Sequence, residues 1–160
     1  MFKKILVAID SLETSNNILA AALFMAKTSN AELMLLHVLS PYEKGYPNMR
    51  IQIINNSQTF THQESITSYL KQREKFEEKS LELLRSHLMQ AISMGIKAEM
   101  TQNFGDPKWN ICDLARTWGA DLIVMGRRAN YGLKDAIHGS VSNYVLHNSH
   151  CAVLTLQHQD

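Results

Sequence analysis

Apolar residues in this chain form five short runs, and the segments between the runs carry apolar residues at helical spacing. Most of the runs are continuous rather than alternating, which is typical of parallel strands that are covered on both faces. The pattern predicts strands at 4–9, 32–39, 96–101, 121–125 and 151–157. Gly126 is interpreted as the end of the fourth strand.

Four helices are predicted between these strands. The first covers about 17–27 and the second about 63–94, where charged residues occupy one side and apolar residues the other. The third begins at Asp106-Pro107, because aspartate caps a helix and proline is tolerated in its first turn. The fourth opens near Gly139. The apolar face of the second helix is assigned to Ile66, Leu70, Leu81, Leu84, Leu88 and Ile92.

Strands and helices therefore alternate along the whole chain. This alternation predicts a single domain over residues 1–160 with an α/β fold, in which helices cover both faces of an open five-stranded parallel sheet, as in Rossmann-like proteins. The segment 41–63 is the exception, since it is rich in turn-forming residues and is predicted to be an irregular loop. It is either a lid over a site or a variable insertion.

Composition and charge argue against some classes of partner for this protein. The 160 residues are 45% hydrophobic and 19% charged with a formal net charge of +1, which offers no electrostatic reason to expect nucleic acid as a partner. No segment approaches the roughly 20 apolar residues that span a bilayer. Cys112 and Cys151 lack the spacing of metal ligands and are interpreted as reduced, buried thiols. We therefore expect a cytoplasmic protein without a membrane partner.

Candidate binding residues follow from the predicted topology. In open parallel sheets, ligands bind beyond the carboxyl ends of the strands, where the strand order reverses. Asp10, Val38 and Met125-Gly126 are predicted to meet at that edge, although Asp10 can also be a cap of the first helix. Beyond Gly139, small residues open the fourth helix, whose N–H groups and hydroxyls suit an anion such as phosphate. His37, inside the second strand, is interpreted as a core or strand-end histidine rather than a ligand.

The segment from Gly126 to Ser140 resembles the nucleotide-binding signature of the universal stress protein family. That signature is a glycine, two residues, a glycine, nine residues, a glycine, and then serine or threonine; Ala129 stands at the position of the second glycine. The resemblance covers essentially the whole chain, from ILVAID through LLHV and the GDP-containing turn to the last strand. It implies a protein with the adenine nucleotide alpha hydrolase-like fold that binds ATP, ADP or AMP and acts as a sensor or switch in stress response.

The resemblance also implies roles for individual residues. Asp10 would approach the ribose, Ala8 and Ile9 would lie beside the base, and Val38 would meet adenine through its backbone. The residues implied along the ribose and phosphates are Met125, Gly126, Arg128, Ala129, Gly139, Ser140, Val141 and Ser142.

Two further implications concern a metal ion and a partner. Asp10, Ser140 and Ser142 could help to hold Mg²⁺ through the phosphate oxygens, without a dedicated metal site in the protein. Members of the family commonly form homodimers in which the last strands of two copies pair antiparallel. The resemblance therefore implies a homodimer through Ala152 to Leu156.

Two alternatives to a nucleotide-binding switch stay open. One is a slow ATP hydrolase, although no catalytic residue is assigned because the sequence has no Walker lysine, no glycine-rich kinase loop and no nucleophile with an identifiable base. The other is a dimeric interaction module that has lost nucleotide binding.

Ala129 favours the second alternative, since alanine costs on the order of 1–2 kcal/mol where a left-handed backbone is needed. Its methyl group could instead exclude a third phosphate. Ser11 is a second departure, because a glycine usually follows the aspartate in the family. Arg127 and Arg128 are either phosphate contacts or exposed loop charges.

Overall fold

The computed structural model of the protein describes residues 1–9, 15–43, 45–47, 62–127 and 141–157. Five parallel strands form one sheet in the order β3-β2-β1-β4-β5. The strands are β1 Lys4–Ile9, β2 Glu32–Leu39, β3 Ala98–Phe104, β4 Leu122–Arg127 and β5 Ala152–Gln157. The helices are α1 Ser15–Ser29, α2 His62–Ser93, α3 Pro107–Trp118 and α4 Val141–Asn148. The predicted open five-stranded parallel α/β fold is confirmed.

The central strand β1 shows why the apolar runs are continuous. Ile5 and Val7 belong to the core that packs under α1 and α2, whereas Leu6 belongs to the opposite core under α3 and α4. All three side chains are fully buried. Because both faces of the sheet are covered by helices, neither set of alternating positions can be polar.

The reversal of strand order lies between β1 and β4. From β1 the chain moves outward through β2 to β3, and it then returns to place β4 on the other side of β1. Asp121 fixes the amino ends of this central pair, since its carboxylate accepts hydrogen bonds from the backbone N–H groups of Lys3 at 2.7 Å and Lys4 at 3.2 Å. The carboxyl ends of β1 and β4 therefore lie side by side at the opposite edge.

Helix α3 begins as its sequence predicts. The Asp106 carboxylate accepts a hydrogen bond from the Lys108 N–H at 2.9 Å, and Pro107 occupies the first turn. Gly119 ends the helix in a left-handed conformation with φ 76°, which glycine adopts without steric cost. None of the described helices is long and apolar enough to cross a bilayer.

Several predicted details are wrong. Strand β3 lies at Ala98–Phe104 rather than 96–101, and β4 continues through Gly126 to Arg127 instead of ending at the glycine. The predicted start of α4 near Gly139 lies outside the described residues, and the described part of the helix begins at Val141. Cys112 is buried as expected, but Cys151 lies just before β5 and is only half-buried. On α2, Leu70 and Ile92 were assigned to the apolar face and are about half exposed, at 49% and 48%.

His87 on α2 makes the stability of the protein depend on pH. Its side chain is buried, its Nε2 has no hydrogen-bond partner in the described part of the chain, and burial lowers its pKa below the ordinary value of 6.5. The unfolded chain thus takes up this proton first as the pH falls, so the free energy of unfolding should decrease below about pH 6.5.

The substitution His87→Leu should remove this part of the pH dependence. Urea denaturation at pH 8 and pH 5.5 should show that the variant gains stability relative to the wild type at the lower pH. Met89→Leu, at an exposed position of the same helix, is the control and should leave the difference between the two pH values unchanged. Equal pH dependence in wild type and His87→Leu would contradict the assignment.

Candidate functional site

The candidate site is the crevice at the carboxyl ends of β1, β2 and β4. Ala8 of β1 is in register with Leu36 of β2 on one side and with Met125 of β4 on the other. Ala8, Met125 and Val38 all face the core under α3 and α4, and each is at least nine-tenths buried. Ile9 faces the opposite core. The structure thus brings Met125, which was expected along the ribose and phosphates, close to the three residues that were expected around the base.

Strand β2 extends beyond its neighbour on the β1 side. The described pairing with β1 ends at Ile9 and His37, whereas the pairing with β3 continues through Val38 and Asn103 to Leu39. Backbone groups alternate along β2, since the Glu32 N–H donates to Lys3 on the β1 side and the Leu33 N–H donates to Lys97 on the β3 side. The backbone groups of Val38 therefore face the β1 side, and its C=O lies past the last described pair. This C=O can accept a hydrogen bond from a planar ligand that carries its own donors.

Gly126 has a packing role that the sequence did not reveal. A Cβ atom at this position would lie 2.9 Å from Cδ1 of Ile18 in α1. No methyl group fits at that distance without displacing Ile18, whose side chain is buried. Helix α1 thus crosses close to the end of β4, and glycine is required there for this close approach rather than to end the strand.

The first turn of α4 packs beside the carboxyl end of β4. Ser142 is buried and Val141 packs against the core that contains Met125. No acidic residue lies in this turn, so nothing there opposes the positive end of the helix.

Positive charge accompanies the helix start. Arg127 is exposed at the end of β4. The ammonium group of Lys108 lies 5.7 Å from the ring centroid of Tyr144, and this ring also contacts Trp109. Because the same ammonium group lies 3.5 Å from the Asp106 carboxylate, its charge is largely balanced. The positive end of α4 and the Arg127 side chain are therefore the features that favour an anion here.

Five of the expected site residues lie outside the described residues. They are Asp10, Arg128, Ala129, Gly139 and Ser140. The structure does describe the two residues that flank the 128–140 segment, which are Arg127 on β4 and Val141 on α4. The geometry of the site therefore rests on the strand ends and on the start of α4.

The reactive groups of the described chain give little support to covalent or metal chemistry. Burial raises the pKa of the Cys112 thiol and, as the main cause, that of the Cys151 thiol, so both remain protonated at neutral pH. Among the residues that the structure describes, no group of three or more His, Cys, Asp and Glu side chains is arranged to hold a metal ion. What the arrangement can do is bind a planar, anionic ligand.

One polar contact beneath the site was missed in the sequence. His37 is buried as expected, but its imidazole meets the Glu43 carboxylate at 2.8 Å and the Gln102 side chain at 3.1 Å. Gln102 is far from His37 in the sequence, and no motif marks either partner. Only the register of β2 with β3, in which His37 and Gln102 are paired, predicts their contact.

The chain is similar to known proteins in sequence and in structure. A sequence profile of the Universal stress protein family matches residues 1–157. The chain is 32% identical to the universal stress protein Sll1388 of Synechocystis, in an alignment that covers 98% of this chain and 99% of that protein. It is 33% identical to the universal stress protein YxiE of Bacillus subtilis, with coverage of 98% and 100%.

Two similar structures contain adenine nucleotides. A universal stress protein crystallised in complex with cAMP matches with a TM-score of 0.65 at 20% identity, over 97% of this chain and 96% of that chain. A universal stress protein family member from Arabidopsis thaliana with AMP bound matches with a TM-score of 0.62 at 20% identity, over 98% and 92%. At these identities the likeness establishes a shared fold.

Proposed function

Because this chain belongs to the universal stress protein family, we propose that it binds an adenine nucleotide at the carboxyl edge of the sheet and acts as a nucleotide-dependent sensor or switch. The observation that carries the proposal is the crevice at the strand reversal, with a backbone edge on one side and a helix start without acidic residues on the other. These features match the two ends of a nucleotide, a planar base and a chain of phosphates.

In this arrangement the adenine meets the backbone of Val38 and lies beside Ala8 and Ile9. The phosphates point to the first turn of α4, where N–H groups at Val141 and Ser142 and the Ser142 hydroxyl can donate to phosphate oxygens. Gly126 lies on the backbone between the proposed positions of the base and the phosphates. Asp10, Arg128, Ala129, Gly139 and Ser140 complete the proposed site from the segments next to these elements.

The bound cAMP and AMP of the two similar structures support an adenine nucleotide as the ligand class. We extend this to ATP and ADP, with Mg²⁺ bound through phosphate oxygens rather than by a protein cage. Binding alone accounts for a switch, because a ligand that prefers one conformation shifts the population toward it.

Calorimetry with ATP, ADP, AMP and GTP tests the proposal on the purified protein. We expect saturable binding of the adenine nucleotides with a dissociation constant below about 1 mM, which corresponds to a binding free energy of about −4 kcal/mol. GTP should bind more weakly. Acid extraction of the purified protein should also yield an adenine nucleotide on chromatography. No binding at millimolar concentrations, together with an extract free of nucleotide, would refute the proposal and favour an interaction module.

We also propose that two copies of the chain pair through Ala152 to Leu156. Strand β5 lies at the edge of the sheet, and its side chains at Val153, Leu154 and Leu156 are only partly buried in the single chain. An uncovered edge strand with apolar side chains favours pairing with another strand.

Light scattering should therefore give a mass of twice 18.2 kDa for the wild type. Val153→Lys should shift the protein to the monomer, because lysine on an edge strand opposes pairing. An exposed lysine introduced on α2 at Met89, which is 63% exposed, is the control and should leave the dimer intact. A monomeric wild type at high concentration would contradict the proposed dimer.

A further inference from the structure

A chain of buried hydrogen bonds lies directly beneath the proposed base-binding edge. His37 of β2 contacts Glu43 through Nε2 at 2.8 Å and Gln102 of β3 through Nδ1 at 3.1 Å. The Gln102 amide nitrogen also lies 2.9 Å from the hydroxyl oxygen of Ser80 on α2. The His37 and Glu43 side chains are 4% and 7% exposed. The contacts thus join β2, β3, α2 and the turn after β2.

The surroundings of Gln102 favour one direction for these hydrogen bonds. Its amide nitrogen lies 3.5 Å from the Glu77 carbonyl oxygen and 2.9 Å from the Ser80 hydroxyl oxygen, and both neighbours suit an NH₂ group. With one hydrogen of this group donated to His37 Nδ1, the imidazole carries its own hydrogen on Nε2. Nε2 donates this hydrogen to the Glu43 carboxylate. The imidazole is therefore fixed in orientation from both of its nitrogen atoms.

Glu43 belongs to a compact turn that begins where β2 ends. Its backbone N–H donates to the Ser40 carbonyl at 3.0 Å, and its own carbonyl accepts from the Tyr46 N–H at 3.1 Å. The Tyr46 ring contacts Phe76 of α2 in an edge-to-face arrangement with centroids 5.4 Å apart. The turn is thus attached to α2 by Tyr46 and to β2 by Glu43.

The Glu43 carboxylate is an unusual group to place there for stability alone. Its Oε2 is buried and has no hydrogen-bond partner in the described part of the chain. A buried carboxylate with one unsatisfied oxygen is destabilising compared with an apolar side chain of similar size. Its contact with His37 therefore points to a role in positioning the residues beside it.

We propose that the His37–Glu43 contact is a positioning device that lets this protein distinguish adenine from guanine, an inference that rests on the proposed function. Val38, whose backbone meets the base, directly follows His37 and precedes the turn that contains Glu43. Adenine presents a donor and an acceptor on its base-pairing edge, and guanine presents them in the reverse order. A backbone edge selects between the two only if its N–H and C=O groups are held in place.

Pairing with β3 holds one side of that edge, and the fixed imidazole together with the turn holds its end. Glu43→Ala removes the acceptor of the imidazole hydrogen and releases the turn from β2. The edge can then adjust its peptide planes to either base. The proposed residues act through the Val38 backbone and do not touch the phosphates.

The test compares ATP, GTP and inorganic tripolyphosphate on the wild type, Glu43→Ala and Glu43→Gln by calorimetry. Glu43→Ala should lose roughly ten-fold in ATP affinity, as expected when a buried hydrogen-bond partner is removed, with little change for GTP and none for tripolyphosphate. Glu43→Gln keeps an acceptor oxygen for His37 and should restore most of the preference for ATP. Hydrogen exchange at the Tyr46 N–H should accelerate in Glu43→Ala.

Glu32→Ala is the matched control, because Glu32 is a β2 glutamate bound to Lys97 at 2.7 Å at the opposite edge of the sheet. It should leave the ratio of ATP to GTP affinity unchanged. If the wild type prefers ATP and Glu43→Ala keeps the same preference, the positioning role is wrong while the proposed function stands. If the wild type binds no nucleotide, both are wrong. An equal loss of tripolyphosphate affinity in Glu43→Ala would also overturn the inference, since it indicates general destabilisation.

Discussion

At low ionic strength, replacing Asn143 by aspartate should weaken ATP binding roughly ten-fold. Asn143 is exposed in the first turn of α4, where no acidic residue occurs. A carboxylate on the order of 8 Å from a triphosphate with about three negative charges repels it. This repulsion raises the free energy of the bound triphosphate by about 1–2 kcal/mol at the dielectric constant of water. The same carboxylate interacts favourably with the positive end of the helix, by about 0.3–1 kcal/mol. Calorimetry and urea denaturation on the same samples measure both effects.

The matched variant is Asn148→Asp at the other end of α4. Asn148 donates a hydrogen bond to the Tyr144 carbonyl at 2.8 Å, so the substitution removes a donor and places a negative charge at the negative end of the helix. Its stability should fall, whereas its ATP affinity should be nearly unchanged, because the two ends of the helix lie about 10 Å apart, beyond one Debye length at physiological salt. The effect of Asn143→Asp on affinity should also diminish as salt is added. Unchanged affinity in Asn143→Asp would place the phosphates elsewhere.

The second large effect is expected at the contact between Gly126 and Ile18. Gly126→Ala should lower the free energy of unfolding by about 1–3 kcal/mol, because the new methyl group overlaps with Ile18 Cδ1. Ile18→Val deletes that atom and alone should cost about 0.5–1.5 kcal/mol. In the double variant the methyl group introduced at position 126 occupies the space left by Cδ1, so the two losses should not add.

A double-mutant cycle in urea measures this coupling. The double variant should be at least about 1 kcal/mol more stable than the sum of the single losses predicts. Gly126 has no left-handed backbone, so alanine should be tolerated at this position once the clash is removed, aided by the lower entropy of the unfolded chain. Losses that add to within about 0.5 kcal/mol would show that no steric conflict exists and that glycine is present for another reason.

The fold could be predicted from the sequence wherever burial alone decides the pattern. Strands β1 and β2 are covered on both faces, and their predicted bounds agree with the structure. Strand β3 lies at the edge and is only partly buried. Its apolar signal is therefore weak, and the prediction began two residues early and ended three residues early. On α2, exposed Leu70 and Ile92 show that helical spacing identifies an apolar stripe but not how far it is covered.

The candidate site could be predicted in outline from topology. Strands that alternate with helices place their carboxyl ends at one edge, so Val38 and Met125 were expected to lie together, and the structure places them so. Asp10, which was expected beside them, lies outside the described residues. The contacts that shape the edge could not be predicted, because they join residues far apart in the chain. Ile18 with Gly126 and His37 with Gln102 depend on helix placement and strand register, which no local pattern reports.

Amide NMR spectra recorded during titration with ATP test the central claim most directly. The claim is that an adenine nucleotide lies across the carboxyl ends of β1, β2 and β4, with its phosphates at the start of α4. The backbone amide signals of Ile9, Val38, Gly126 and Ser142 should shift and saturate with one dissociation constant. Adenosine should reproduce the shifts at Ile9 and Val38, and tripolyphosphate those at Ser142. Saturable shifts confined to other surfaces, or no shifts at millimolar ATP, would contradict the account.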